Sequence, residues 1–224
     1  MDRRLIRTAV FGNPESDEPA LCPEAPEELD RFRAEHQDET IWCGTLLEGG
    51  CGRQLMTRRY ADKVCHFAHH ASDDGLSCGR QARDTGSANH LFAKYHLASW
   101  LRGHGINAEF TYPEPLGSAV MIRLEDDRQL LVHLDRECEA TWDSSMWEII
   151  CGPGVRTPRG ILEQRGYVHR IRLVPRSGGG RTVLFGTEVR GEGTGRWVDL
   201  DEVHITPEGL TSTTSPPVIP ITTA

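Results

Sequence analysis

Five of the seven cysteines in this 224-residue chain fall between Cys22 and Cys78, with His66, His69 and His70 interleaved among them. The opening residues Met1-Asp2-Arg3-Arg4-Leu5-Ile6-Arg7 lack the apolar stretch of a secretory signal peptide, which predicts a cytoplasmic protein. Disulfides are disfavoured in a reducing cytosol, so thiols clustered in this way predict a metal site instead of a covalent framework. Such a site lets a segment too small for a core of its own hold a fold.

The candidate ligands are Cys43, Cys51, His66, His69 and Cys78. Zinc takes four tetrahedral sulfur or nitrogen ligands, commonly as two pairs brought together by short turns, so four of these five are expected to hold it in a structural role. Gly44, Gly49, Gly50 and Gly52 surround the first pair and permit the tight bends that aim thiolates inward. The second pair is either His66 with His69 or His69 with Cys78. Cys22 stands apart, and Cys138 and Cys151 read as small buried hydrophobes.

Along the chain, Arg4–Phe11 reads as a strand and residues 13–28 as an exposed loop rich in Pro, Glu and Asp. Glu27–Glu39 reads as an acidic helix with Leu29 and Phe32 as its apolar contacts. Short strands are expected at Ile41–Cys43, Gln54–Thr57 and Lys63–His69. Ser87 begins the clearest helix, with Leu91, Leu97, Ala98, Trp100 and Leu101 at helical spacing and Gly103 and Gly105 at its end. Strands follow at Ala108–Tyr112, Ala119–Leu124, Gln129–Leu134, Tyr167–Val174 and Thr182–Val189, with a short helix near Pro158–Arg165. The plan is α+β: a zinc-binding N-terminal module over 1–80, a mixed-sheet domain with flanking helices over 81–205, and a Thr/Ser/Pro-rich disordered tail over 206–224.

The formal net charge of −8 argues against attachment to nucleic acid or membrane by bulk charge alone. No apolar run is long enough to span a bilayer, so no membrane partner is expected. The acids concentrate in the first forty residues, which leaves room for a local basic surface. Around Tyr167–Arg172 the alternation brings Arg170 and Arg172 out on one strand face, where they can track a nucleic-acid backbone. There is no Gly-x-Gly-x-x-Gly ahead of a helix and no phosphate-binding Gly-Lys-Ser/Thr loop, so a nucleotide-driven enzyme is not expected.

His66-Phe67-Ala68-His69 followed by Ser87-Ala88-Asn89-His90-Leu91-Phe92-Ala93-Lys94 resembles the competence protein CoiA-like family, over roughly Thr8–Leu173. The resemblance implies a zinc-ribbon-like N-terminal region. After it would come a restriction-endonuclease-like domain of the PD-(D/E)xK type, with DNA as the expected partner. It also implies that His90 and Lys94, one helical turn apart, sit beside the nuclease cleft and contact phosphate. The chain departs from the family where the chemistry lies. Gly86 stands where the family has Glu, and Ser118–Ile122 carries no acid where an Arg-x-Asp element belongs, with Met121 in its place. The nearest match to the next acidic pair is His133-Leu134-Asp135.

Magnesium activates water in this chemistry and takes oxygen ligands, which a methionine cannot supply. The reading is therefore a zinc-stabilised, catalytically degenerate nuclease-like protein that binds nucleic acid. One alternative is an active Mg²⁺-dependent nuclease using Glu109, His133 and Asp135. The other is a protein-interaction module without nucleic-acid contact.

Overall fold

A computed structural model describes residues 5–70, 78–80, 86–142, 145–176 and 179–212. It is a mixed α+β chain with three sheets and three α-helices among those residues. The chain divides into two compact units, the first comprising Met1–Tyr95 with Pro175–Thr182, the second His96–Val174 with Val183–Ala224.

The first unit is built on an antiparallel five-stranded sheet. Its strands are β1 (Thr8–Phe11), β2 (Pro19–Leu21), β3 (Ile41–Trp42), β4 (Gln54–Arg58) and β5 (His66–His69), in the order β2-β1-β3-β4-β5. Helix α1 (Pro26–Glu35) sets Leu29 and Phe32, one turn apart, into a cluster with Ile6, Phe11, Ala20, Leu55 and Phe67. Phe32 lies with its ring centroid 5.9 Å from Phe11 and 6.1 Å from Phe67. The segment expected to be an exposed loop thus contains β2, whose three residues are all buried. Its single apolar step, Ala20-Leu21-Cys22, is too short to show a period, and pairing with Thr8–Val10 supplies the order.

Helix α2 (Asn89–Gly103) begins two residues after the expected start, and the Ser87 hydroxyl lies 3.0 Å from that of Thr8. The second unit's main sheet runs β12-β11-β10-β9-β8-β7-β6. Strands β6 (Ala108–Thr111), β7 (Ala119–Leu124) and β8 (Gln129–His133) form an antiparallel meander. Next, β9 (Glu148–Cys151) lies parallel to β8, and α3 (Arg159–Arg165) carries the chain to β10 (Tyr167–Arg176), parallel to β9. A parallel neighbour requires a crossover of this kind. Strand β11 (Gly180–Val189) completes the run and pairs antiparallel with β12 (Gly193–Thr194) and β13 (Val198–Asp199).

Strand β9 was not legible as a strand. All four of its residues are buried, as parallel strands covered on both faces are, so Glu148-Ile149-Ile150-Cys151 shows no alternation. One face of this sheet gathers Leu131, Ile149 and Val168 against Ile161 of α3.

After a turn of 3-10 helix at Leu200–Glu202, β14 (Val203–Ile205) and β15 (Leu210–Ser212) form a separate two-stranded sheet. The tail expected from Thr206 therefore begins with ordered chain, anchored by Leu210 at 1% exposure. Residues 213–224 of that tail, and 71–77 and 81–85 of the expected connecting segment, lie outside the described residues. Among the described residues no helix is long and apolar enough to cross a membrane.

Candidate metal centre

Cys43 leaves the end of β3 fully buried, and the chain then makes a closed knuckle back to β4. The Cys43 N–H donates to the Arg53 carbonyl and the Gly52 N–H to the Cys43 carbonyl, each at 2.8 Å. Cys51 thereby sits beside Cys43 at the mouth of the knuckle. His69 closes β5, and Cys78 arrives from further along the chain. The sulfurs of Cys43, Cys51 and Cys78 and a ring nitrogen of His69 all lie within 4.8 Å of one another. Cys43 Sγ is 3.7 Å from Cys78 Sγ, and Cys51 Sγ is 3.2 Å from His69 Nε2.

These separations suit the donor set. Two thiolates each about 2.3 Å from a tetrahedral zinc stand about 3.8 Å apart. All the cysteines are free thiols. Burial pushes the Cys43 thiol up to about 12. Burial also works to raise Cys51, but hydrogen bonds from Arg53 and His69 outweigh it and bring that thiol down to about 6. A divalent cation would remove the remaining thiol protons, because metal binding and thiolate formation are coupled. Two glycines make the close approach feasible. Gly49 has φ +70°, and a Cβ there would lie 2.5 Å from the Gly79 carbonyl, next to Cys78. At Gly50 a Cβ would overlap the Gly44 carbonyl oxygen.

His66 is not part of this group. On a strand, successive side chains alternate, so residues three apart point to opposite faces. His69 faces the cysteines, whereas His66 stacks on Tyr60 at 5.3 Å and places Nδ1 3.1 Å from the Val64 carbonyl. Strand parity applied to His66-Phe67-Ala68-His69 would have removed it from the sequence set. Cys22 and Cys65 are buried in the same core cluster as Cys43 and Cys78 but are not among the four residues whose ligand atoms converge, and Cys151 is fully buried. Cys138, read as a buried hydrophobe, is instead exposed beside Asp135.

No family model, curated protein or solved structure matches this chain.

Of the three residues considered for catalysis, Glu109 lies away from His133 and Asp135. Glu109 pairs with Arg123 near one end of β7, while His133 faces Ala119 at the other end. Four residues along a strand separate those positions by about 13 Å. His133 Nε2 meets the Cys138 carbonyl at 3.0 Å. Asp135 is half-buried and accepts the N–H groups of Glu137 and Cys138, which hold its carboxyl below the ordinary value.

The four residues expected to touch phosphate are also dispersed in role. His90 is fully buried, with Nε2 2.8 Å from the Leu46 carbonyl, and offers no surface to a phosphate. Lys94 pairs with Asp17 at 2.6 Å. Arg170 is drawn inward by Glu188 at 2.8 Å, Thr157 and the Val155 carbonyl. Arg172 is exposed, its guanidinium 4.1 Å over the Trp197 ring.

A constellation that sequence reasoning missed surrounds Glu148. Its carboxylate is fully buried and accepts from Arg165 Nη1 (2.8 Å), Tyr167 Oη (3.1 Å) and the Leu210 N–H (3.1 Å), with His169 Nε2 at 3.5 Å. Burial alone would raise Glu148, but His169, Arg165 and the Leu210 N–H together hold it below its ordinary value. The signal available was an acid opening the apolar triplet Ile149-Ile150-Cys151.

Proposed function

We propose that the first unit holds one structural zinc ion on Cys43, Cys51, His69 and Cys78. The convergence of three sulfurs and one imidazole nitrogen from separated points of the chain carries this reading. Protein groups fill all four positions of a tetrahedral ion, which leaves none for a substrate and makes its role that of fixing the fold. Bound there, zinc supplies the positive charge that three neighbouring thiolates need. Metal analysis of protein purified without chelator should return about one zinc per chain. Cys51→Ser should lower zinc affinity about a hundredfold or more, while Cys151→Ser leaves it unchanged. Protein that contains no zinc and takes none up would remove this reading.

The resemblance to the CoiA-like family adds a second proposal: the second unit is a nuclease-like body that binds nucleic acid, DNA foremost, without cutting it. The separation of Glu109 from His133 and Asp135 favours the non-cutting form, because hydrolysis of this type needs oxygen ligands gathered on one Mg²⁺. The exposed Arg172 beside Trp197 offers a cation and a ring to a nucleic-acid strand. Incubation with Mg²⁺ should give no cleavage of DNA or RNA, and cleavage abolished by Asp135→Ala would restore the enzyme reading. Binding should weaken with salt, and Arg172→Gln should flatten that dependence by about one phosphate contact. If wild-type protein at low salt binds neither single-stranded DNA, duplex DNA nor RNA, a protein partner takes the place of nucleic acid.

A further inference from the structure

His90 and Lys94 lie one turn apart on α2, and both reach into the loops that shape the metal centre. His90 Nε2 stands 2.8 Å from the Leu46 carbonyl, inside the knuckle that runs from Cys43 to Cys51. A carbonyl oxygen only accepts, so this nitrogen carries the proton and the imidazole is the donor. Four residues later, Lys94 Nζ pairs with Asp17 at 2.6 Å, in the loop between β1 and β2. That loop is fastened to the same knuckle, because the Thr45 N–H and hydroxyl donate to the Pro14 carbonyl at 2.8 and 3.1 Å. One helix face therefore grips the knuckle directly through His90 and through its neighbouring loop by way of Lys94.

The knuckle is closed at its base by the hydrogen bonds between Cys43 and the Gly52 and Arg53 backbone. Between those ends its described hydrogen bonds are short-range turns, such as Gly50 N–H to the Leu47 carbonyl at 2.7 Å, and its glycines lose much entropy on ordering. A fully buried donor locked onto its middle removes that freedom before a metal arrives. We propose that His90, assisted by Lys94, is a positioning residue of the metal centre, holding Cys43 and Cys51 in ligand geometry. The inference rests on the zinc reading and assigns these two residues to the metal site in place of a phosphate cleft.

The test uses the full chain and a chromophoric zinc chelator in competition. His90→Leu keeps the volume but removes the donor, and should weaken zinc about 10–100-fold, the range seen when outer supports of a metal site are lost. His90→Gln, which can still donate from the same place, should stay within about threefold of wild type. Lys94→Met should weaken zinc by a smaller factor. Cobalt substituted for zinc should give the wild-type thiolate absorption in His90→Gln and a shifted or weakened band in His90→Leu.

A merely structural role would instead lower the melting temperature of metal-free and metal-loaded protein alike, with the zinc-induced increment intact. Wild-type affinity in His90→Leu, or equal losses in His90→Leu and His90→Gln, overturns the inference. If His90→Leu does not fold, Lys94→Met decides, and unchanged affinity there overturns it. Failure of the zinc reading is a separate result, seen as an absence of zinc from the wild type.

Discussion

His90 is fully buried, and burial, helped by the nearby Arg80 guanidinium, pushes its imidazole down to about 4 against the opposing pull of the Leu46 carbonyl. The unfolded chain protonates the same ring near the ordinary value of about 6.5. Between those two pH values the unfolded state binds one more proton, so stability falls as pH drops from about 6.5 toward about 4. The slope assigned to this group reaches about 1.4 kcal/mol per pH unit. Chemical denaturation of metal-free protein at pH 7 and pH 5 should show it, and His90→Gln should have the shallower slope. Identical slopes would mean that His90 titrates normally in the fold.

At Glu148 the sign is the same, but the window is lower. A carboxylate held below its ordinary value contributes stability at neutral pH that disappears as pH falls through its folded value. Glu148→Gln should cost roughly 3 kcal/mol in urea unfolding, because it leaves Arg165 and His169 without their buried anion.

At the scale of elements, the outcome at the metal site shows what a single sequence carries. Residue type and clustering suffice to name Cys43, Cys51, His69 and Cys78 among five candidates. The fifth, His66, falls away because β5 is extended, which decides the faces once the strand is accepted. The longer elements, such as α2, β7 and β8, were legible from a helical period or a β-rich run. Strands β2, β9 and β12 to β15 were not, being two to four residues long with no period of their own. Long-range pairing orders them, and no local pattern reports that. The same limit explains Arg170. Alternation places it on a strand face correctly, but the partners that draw it inward, Thr157 and Glu188, come from other segments.

The small sheet β14–β15 is held largely through its backbone. Trp100, Arg128 and Trp147 donate to the carbonyls of Val203, Thr206 and Pro207, and Leu210 donates to Glu148. At Gly209 a Cβ would overlap the Glu148 carboxylate. Gly209→Ala should therefore destabilise the protein by about 1–3 kcal/mol, whereas an alanine at Gly103, with open space around it and no positive φ, brings no such overlap. Comparable urea midpoints for Gly209→Ala and wild type would show that the hairpin can shift to make room.

For the molecule as a whole, the proposed zinc belongs to one unit only. Its four ligands all lie in Met1–Tyr95, three of them on or between strands β3 to β5 and Cys78 beyond β5. Removing the metal should raise the amide hydrogen exchange of β3, β4 and β5 by an order of magnitude or more, while β7, β8 and β9 keep their protection. Exchange that rises equally in all six strands would indicate that the metal stabilises the chain as one cooperative body.

The first unit also has a requirement written into chain order. It includes Pro175–Thr182, where Gly179 approaches Leu21 and Phe32 and where Arg181 donates to Asn89. A nascent chain emerging from the ribosome has all four proposed zinc ligands available early, but lacks this last piece until residue 182 has appeared. Cotranslational folding of the N-terminal unit therefore cannot finish in the usual N-to-C sequence, and must wait for most of the second unit to be synthesised.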